Sequence, residues 1–517
     1  MEKKLVYYED FGAVGDGKND DFFAVKRAHD FANENGLEVK GTPGKTYRIY
    51  DIVGDSEAAS YISIKTNTDW TDTSFIIDDR GFGHKDKNNS LTFKVESDYP
   101  VLSITEKEDI EKIFPGRKIE AGFNGKIGWS DYGYDALLIV KNANHRNYIR
   151  AGAHQDSGQI QSELIVVDKD GQIREGTEFL YAYDDITLIN VYRIDERPVT
   201  ITGGTFTHIA NDIPMVKENW GYYSRGIRVF RSGTVVDGLT HIIEGELPGS
   251  KTNDKPKGAP YSGFLSAVCS TDVTFKNCIL PTRRYSGLAG TYGFQAGSVN
   301  NMYLYNVKQS NYYCEDGVTP TLDYNNYWGI CISNGCKNLI YDSCLMSRYD
   351  AHCGVYRGKI INSTVCNLEL IGGGDMLIEN TTFTPISFTP IMLRGDYGHT
   401  WNGTLTVKDC TVKNPQKPIT TFLSVGWRNQ DFGYTTCMPN LIIDNLKWDI
   451  PEREIMLTNY DNPELVCSDI LSDGSENINK RTPAEYIRVI NNKDGVTYKM
   501  HGTPLVADTE IEGVEII

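Results

Sequence analysis

The feature that most restricts what this chain can become is an internal repeat. From about residue 260 the sequence falls into similar units. Ser262-Gly263-Phe264-Leu265 leads to Val273-Thr274-Phe275-Lys276-Asn277, and Tyr292-Gly293-Phe294-Gln295 leads to Met302-Tyr303-Leu304-Tyr305-Asn306. Tyr327 to Ile332 leads to Asn338-Leu339-Ile340-Tyr341-Asp342, and Tyr349-Asp350-Ala351-His352 leads to Lys359-Ile360-Ile361-Asn362. Three more follow, closing on Asn380, Asp409 and Asn445. Each unit is a β-rich run, a variable turn, a second run alternating apolar and polar residues, and an Asn or Asp. Alternation at period two gives one inward and one outward face, and Asn tolerates the left-handed backbone of a tight corner. A spacing that varies over roughly 18 to 40 residues fits strands that superpose while the loops between them differ in length. The expected fold is all-β: a single-stranded right-handed parallel β-helix. Stacked corner Asn residues would satisfy one another's amides along its axis.

A solenoid grows by adding rungs, so 517 residues are compatible with one elongated domain. The reading is an N-terminal cap and first rung over 1–50, a helix over 51–450 and a β cap over 451–517. Fainter units run upstream through Ile186–Asn190, Val199–Gly203 and Thr234–Gly238. Residues 105–180 break the pattern, and Asp168-Lys169-Asp170-Gly171 between apolar runs marks an antiparallel insertion. Past 450 the repeat fades, with Lys493-Asp494-Gly495 read as another hairpin turn. Of the eleven cysteines, none is spaced as CxxC. Cys278, Cys344 and Cys410 recur after the corner residue and read as small inward-facing residues rather than a metal or redox set.

A net charge of −17 opposes nucleic acid as a partner, because phosphate binding rests on clustered Lys and Arg. It favours an uncharged glycan over a polyanion. No stretch reaches the length of a membrane span, and the first residues hold no apolar signal segment. The expectation is a soluble chain, cytoplasmic as it stands and secreted where a leader precedes it, either a monomer or a homotrimer.

Phe11-Gly12-Ala13-Val14-Gly15-Asp16-Gly17 through Asp20-Asp21, then Ala24-Val25-Lys26-Arg27-Ala28, form a glycine-rich loop, an acidic N-cap and an amphipathic helix. The face Ala24, Ala28, Phe31 and Ala32 would plug the first rung. With Gly41-Thr42-Pro43-Gly44 and the strand after it, this segment resembles the opening of pectate-lyase-like β-helix proteins, the polygalacturonase-like (family 28-related) hydrolases, lyases and tailspikes. The resemblance covers about 45 residues and implies the fold, with a carbohydrate ligand. It does not supply an active site. Polygalacturonase-type hydrolases carry Asn-x-Asp, Asp-Asp and Gly-His-Gly on successive rungs, whereas here Asn67-Thr68-Asp69 lies too early, Asp184-Asp185 is distant and no Gly-His-Gly exists.

The candidate catalytic residues come instead from the repeats. Asp350 and His352 are two apart on a strand and share a face, as do Arg394 and Asp396 two units later, with Glu369 between them in an uncertain register. Two chemistries compete. Paired carboxylates hydrolyse a glycosidic bond, Asp350 with Glu369 suiting retention and Asp350 with Asp396 inversion. Alternatively His352 or a tyrosine takes a C5 proton from a uronate while Arg394 neutralises its carboxylate, giving elimination or epimerisation. For this second reading Tyr349-Asp350-Ala351-His352 resembles the Asp-Pro-His motif of alginate C5-epimerases, with alanine in place of proline. Candidate substrate contacts are Tyr313, Tyr327 and Trp328 around Glu315, Asp316 and Asp323, together with Tyr349, Trp427 and Arg428, since sugar C–H faces stack on aromatic rings. Arg283-Arg284-Tyr285 reads as a solvated loop before a carboxylate clamp. The leading expectation is a glycoside hydrolase of a poly- or oligosaccharide, then a uronate lyase or epimerase, then a non-catalytic glycan-binding tailspike or adhesin. No cofactor or metal-ligand set is called for, and a divalent cation such as Ca²⁺ stays open.

Overall fold

The computed structural model describes residues 5–50, 61–80, 91–152, 158–212, 222–247, 260–284, 291–309, 330–459, 467–471, 473–500, 503–505 and 514–516. The chain winds as a right-handed parallel β-helix. Among the described residues thirty strands join one sheet, and every pairing in it is parallel except the hairpin Thr497–Met500 with Thr503–Leu505.

The period-two pattern produces a continuous inner column. Phe275, Leu304, Tyr341, Ile360, Ile378, Val407, Ile443 and Val489 pair in succession from coil to coil, and all are buried in one core. Two residues further on, the chain turns at Asn277, Asn306, Ser343, Asn362, Asn380, Asp409, Asn445 and Asn491, each with positive φ. At six of these corners the turning residue is the Asn or Asp that closes a sequence unit, since Asn adopts the left-handed region at lower cost than other side chains, whereas one turn falls at Ser343, one residue past the expected Asp342, and Asn491 lies beyond the units read from the sequence. The expected ladder is present. Asn306 donates to Asn277, Asn362 to Asp342, Asn380 to Asn362 and Asn445 to Asp409, at 2.6–3.1 Å. Asn362→Ala removes one donor and one acceptor from this ladder and strains the corner. It is expected to lower stability by about 1 kcal/mol, read as a shift in urea midpoint at unchanged slope. Cys278, Cys344 and Cys410 follow the corner and are buried, and burial pushes their thiols up to about 11, 12 and 12.

Four readings are corrected. The insertion spans 102–193. Leu102–Ile104, Ala136–Asn147, Gln159–Val167 and Leu188–Arg193 form a separate antiparallel sheet with its own core around Trp129, Leu138, Val140 and Ile165. Residues 186–190 therefore belong to it and not to the helix, because Ile189 pairs with Ile104 and Val140. At the far end the coil continues past 450. Glu454–Thr458 and Ile487–Ile490 pair in parallel with earlier strands, and Thr497–Met500 pairs with Glu454–Met456. Lys493-Asp494-Gly495 thus turns a corner between two faces of one coil rather than closing a hairpin; the same left-handed glycine serves both.

At the N-terminus, helix Phe22–Asn35 buries Phe22, Ala24, Val25, Ala28, His29 and Ala32, while Phe31 stays exposed and packs on Phe11. Asp21 makes no side-chain cap to the helix. Its carboxylate instead accepts the backbone N–H groups of Val14 and Gly15 at 2.7 and 3.1 Å, fastening the glycine-rich loop. No helix among the described residues is long and apolar enough to cross a membrane.

Candidate active site

The strand Leu345–Ile361 carries the centre of the site. Tyr349 and Ala351 point into the core, and Asp350 and His352 therefore face the other way. Register places Asp350 opposite Glu369 on the next coil, and Glu369 opposite Met392 on the one after. Met392 is partly exposed and gives the flank an apolar step beside the carboxylate. Arg394 follows two residues later and reaches back across the coils. Its Nη1 donates to Asp350 at 2.8 and 3.1 Å and to Glu369 at 3.1 Å, while Nε and Nη2 grip both oxygens of Asp396 at 3.0 Å.

Two further arginines complete the network. Arg348 pairs with Glu369. Arg150, from the insertion, reaches Asp396 at 3.0 and 3.1 Å, where Ala151 N–H also donates to the Asp396 carbonyl. Three carboxylates thus meet three guanidiniums. Exposure separates them: the Asp350 side chain is 1% exposed, Glu369 16% and Asp396 20%. Burial pushes Asp396 up, but the Arg394 hydrogen bonds and the Arg394 and Arg150 charges outweigh it and hold the carboxyl below its usual range. Arg394 stays firmly protonated, since its carboxylate partners overcome burial. His352 is pushed down to about 3, first by burial and then by Arg394, so it is neutral near pH 7. Its ring lies 3.2 Å from the Asn334 amide oxygen and edge-on to Tyr397.

A cleft of about 120 Å³ lies between the insertion and the helix. Asn147, Tyr148, Gln159, Glu163 and Tyr181 line one side, and Asn334, Lys337, Cys353 and Tyr356 the other. It adjoins the carboxylates through Asn334 and Cys353, which contact His352 and Tyr397.

All five nominated catalytic residues therefore meet on one flank. The doubt over Glu369 is resolved by its pairing with Asp350. Asp350 itself is corrected as a catalytic group, because a carboxylate so deeply covered does not reach a saccharide. Tyr349, nominated as a substrate contact, is also corrected: it is 0% exposed and packs on Tyr341 inside the helix. Trp427 donates its indole N–H to the Asn479 carbonyl and packs against the core, and the Arg428 carbonyl accepts from Asn479. Both follow the coil Thr421–Ser424, and neither enters the carboxylate network. Tyr313, Glu315, Asp316, Asp323, Tyr327 and Trp328 lie outside the described residues. Among the described residues no group of three His, Cys, Asp or Glu side chains is arranged to hold a metal ion.

Sequence reasoning missed Arg150, for which no local signal exists: it lies 246 positions from its partner Asp396. Arg348 was legible from its place beside the nominated strand. It also missed a closed cluster inside the coil. Asp79 accepts from Arg225 at 2.5 Å and Tyr261 at 3.0 Å and meets His208 at 2.6 Å, and Arg283 donates to the other nitrogen of His208 at 2.9 Å. Arg283 is thus corrected from a solvated loop residue to a buried one, its guanidinium lying over Tyr261. With all of these side chains sealed from solvent, the cluster serves structure.

The chain is, by its winding, a parallel β-helix with an antiparallel insertion walling a charged flank. No protein-family model matches it, and no curated protein does. Solved structures similar to it include the tailspike gp61 of Pseudomonas phage phi297, with 13% identity, a TM-score of 0.43 and coverage of 89% of this chain and 82% of that one. The surface protein and adhesin PfbA of Streptococcus pneumoniae has 9% identity, a TM-score of 0.45 and coverage of 96% and 100%. The Gp54 tailspike of Acinetobacter baumannii bacteriophage AP22, solved in complex with A. baumannii capsular saccharide, has 10% identity, a TM-score of 0.45 and coverage of 99% and 79%. At these identities and scores the likeness gives no residue of this chain a role.

Proposed function

We propose that this chain is a glycoside hydrolase whose saccharide lies along the flank beside Glu369 and Asp396. The observation that carries the reading is the placement of two solvent-reachable carboxylates on opposite edges of one guanidinium, next to a cleft. Glycosidic hydrolysis requires two carboxyl groups flanking the scissile oxygen. Asp396, kept ionised by Arg394 and Arg150, suits the base or nucleophile, and Glu369 is the second carboxyl group of the pair. Asp350 positions Arg394 and does not touch substrate. A neutral His352 favours the second reading, proton abstraction from a uronate. Against it, all three nitrogens of Arg394 are committed to protein carboxylates, which leaves that cation unable to clamp a substrate carboxylate.

The test is product chemistry on a panel of polysaccharides. Hydrolysis releases reducing ends without the ultraviolet absorbance of an unsaturated uronate, and Glu369→Gln is expected to lower kcat at least about a hundredfold with the circular dichroism unchanged. Unsaturated product, or binding with no product from any glycan, would overturn the reading.

A further inference from the structure

Strand Ile227–Val229 buries Ile227 and Val229 in the core, so Arg228 between them faces outward, where it is partly exposed. Its guanidinium has no acidic partner among the described residues. Nε and Nη2 donate to the hydroxyls of Ser266 and Ser224 at 3.4 and 3.3 Å. Nη1 donates to no described residue and, unlike the Nε atoms of Arg231 and Arg283, is not sealed from solvent. Its neighbours along the outer face are Lys94 on one adjoining coil and Ser266 on the other, a second cation and a neutral group. Lys94 is itself spent on Glu96 at 2.6 Å. A half-buried charge without a counterion is costly, and it stands here in a chain with 69 acidic against 52 basic residues. Burial accordingly pulls the Arg228 pKa down, the reverse of Arg394, whose burial is outweighed by its carboxylates. Register ties Arg228 to the carboxylate flank. The same outer position passes from Arg228 through Ser266, Gln295 and the backbone position of Ile332 to Asp350 and Glu369. Five coil steps of roughly 4.8 Å put about 24 Å along the axis between Arg228 and Glu369. One sugar does not span that distance, and a saccharide chain does.

We propose that Arg228 is a subsite for a carboxylate carried by the saccharide several sugars away from the bond that is cleaved, so that the substrate is an acidic chain lying along the helix axis. This rests on the flank beside Glu369 being where the saccharide lies. A carboxylate supplies both the missing counterion and a charge-assisted acceptor for Nη1, whereas a sugar hydroxyl would leave the guanidinium charge uncompensated. The net charge of −17 repels a polyanion at long range, but salt screens that repulsion beyond about 10 Å at 0.1 M, and the guanidinium acts at contact.

The experiment is affinity electrophoresis of the full chain at 0.1 M salt through gels cast with a carboxylated polymer (polygalacturonate, alginate or hyaluronan), with dextran sulfate, and with a neutral glucan, galactan or mannan. Wild type is expected to be retarded by at least one carboxylated polymer. Arg228→Met, which keeps the stem and removes the charge, is expected to weaken that retardation about tenfold while the melting temperature stays equal or rises. Lys447→Met, which removes an exposed charge elsewhere on the helix, is expected to leave it unchanged. Retardation by the neutral gels alone, no retardation by any gel, stronger retardation by dextran sulfate than by every carboxylated polymer, unchanged retardation of Arg228→Met, an equal loss in Lys447→Met, or a loss in Arg228→Met that comes with a lower melting temperature would each overturn the proposal. Reducing ends measured in parallel keep the two readings apart. Retention that depends on Arg228 without new reducing ends from any glycan refutes hydrolysis and leaves the subsite standing. Reducing ends from neutral glycans, with no retention by a carboxylated polymer, keep hydrolysis and remove the subsite.

Discussion

Arg394→Met is expected to destabilise the chain by about 3–5 kcal/mol and to abolish any activity, because it strips one cation from three carboxylates at once. The partly exposed partners lose little on their own account, since Glu369 keeps Arg348 and Asp396 keeps Arg150. Asp350 bears the loss. Its side chain is 1% exposed and its ion pair among the described residues is with Arg394, so the variant leaves a charge buried without compensation. Adding Asp350→Asn should restore a large part of the stability without restoring activity. Guanidinium unfolding of the two variants and wild type measures this, and additive losses in the double variant would show that the pair is not coupled as drawn.

Acidification is expected to have a comparable effect through another set of residues. His29, His208, His352 and His399 are pushed down to about 3, 4, 3 and 4, and His241 is pushed well down too, in each case first by burial. In the unfolded chain these imidazoles take up protons near pH 6.5. Folded, they refuse them, so their contribution to stability is complete above that pH and is lost as the pH falls toward 4. The unfolded state binds more protons in this window, and stability falls with falling pH. Each histidine is worth on the order of a few kcal/mol across it, partly offset by the buried Glu246, whose raised pKa favours the folded state on acidification. Melting temperature measured from pH 8 to pH 4.5 should be level at first and then drop steeply below about pH 6. A flat profile to pH 4.5 would mean that these side chains take up protons while the chain stays folded.

The helix was legible in the sequence because its determinants are local. Alternation at period two sets which side chains enter the core, and the Asn or Asp at each unit's end marks the corner, so the column from Phe275 to Ile443 and the corners from Asn277 to Asn445 can be read one rung at a time, except that the turn falls at Ser343, one residue past Asp342. The pairing of Asp350 with His352 on one face came from the same rule. Where the local signal was ambiguous, tertiary structure decided. A left-handed glycine turn between short strands reads alike whether it closes a hairpin or rounds a corner, and the difference at Lys493-Asp494-Gly495 is which strand lies alongside. Ile186–Asn190 alternates like a rung, yet it joins the insertion because the partners waiting for it, Ile104 and Val140, are there.

The site divides along the same line. Residue types and faces were written into the units holding Asp350, Glu369, Arg394 and Asp396. Burial, which removes Asp350 and Tyr349 from contact with a ligand, and the arrival of Arg150 from an insertion 246 positions before its partner Asp396 were not. Sequence determined how the chain coils, because each coil is specified by a period of two and a corner. Only the packing of the coils on one another and of the insertion against them decided which carboxylates are paired and which reach solvent, because charge and desolvation depend on neighbours in space and not on neighbours in the chain.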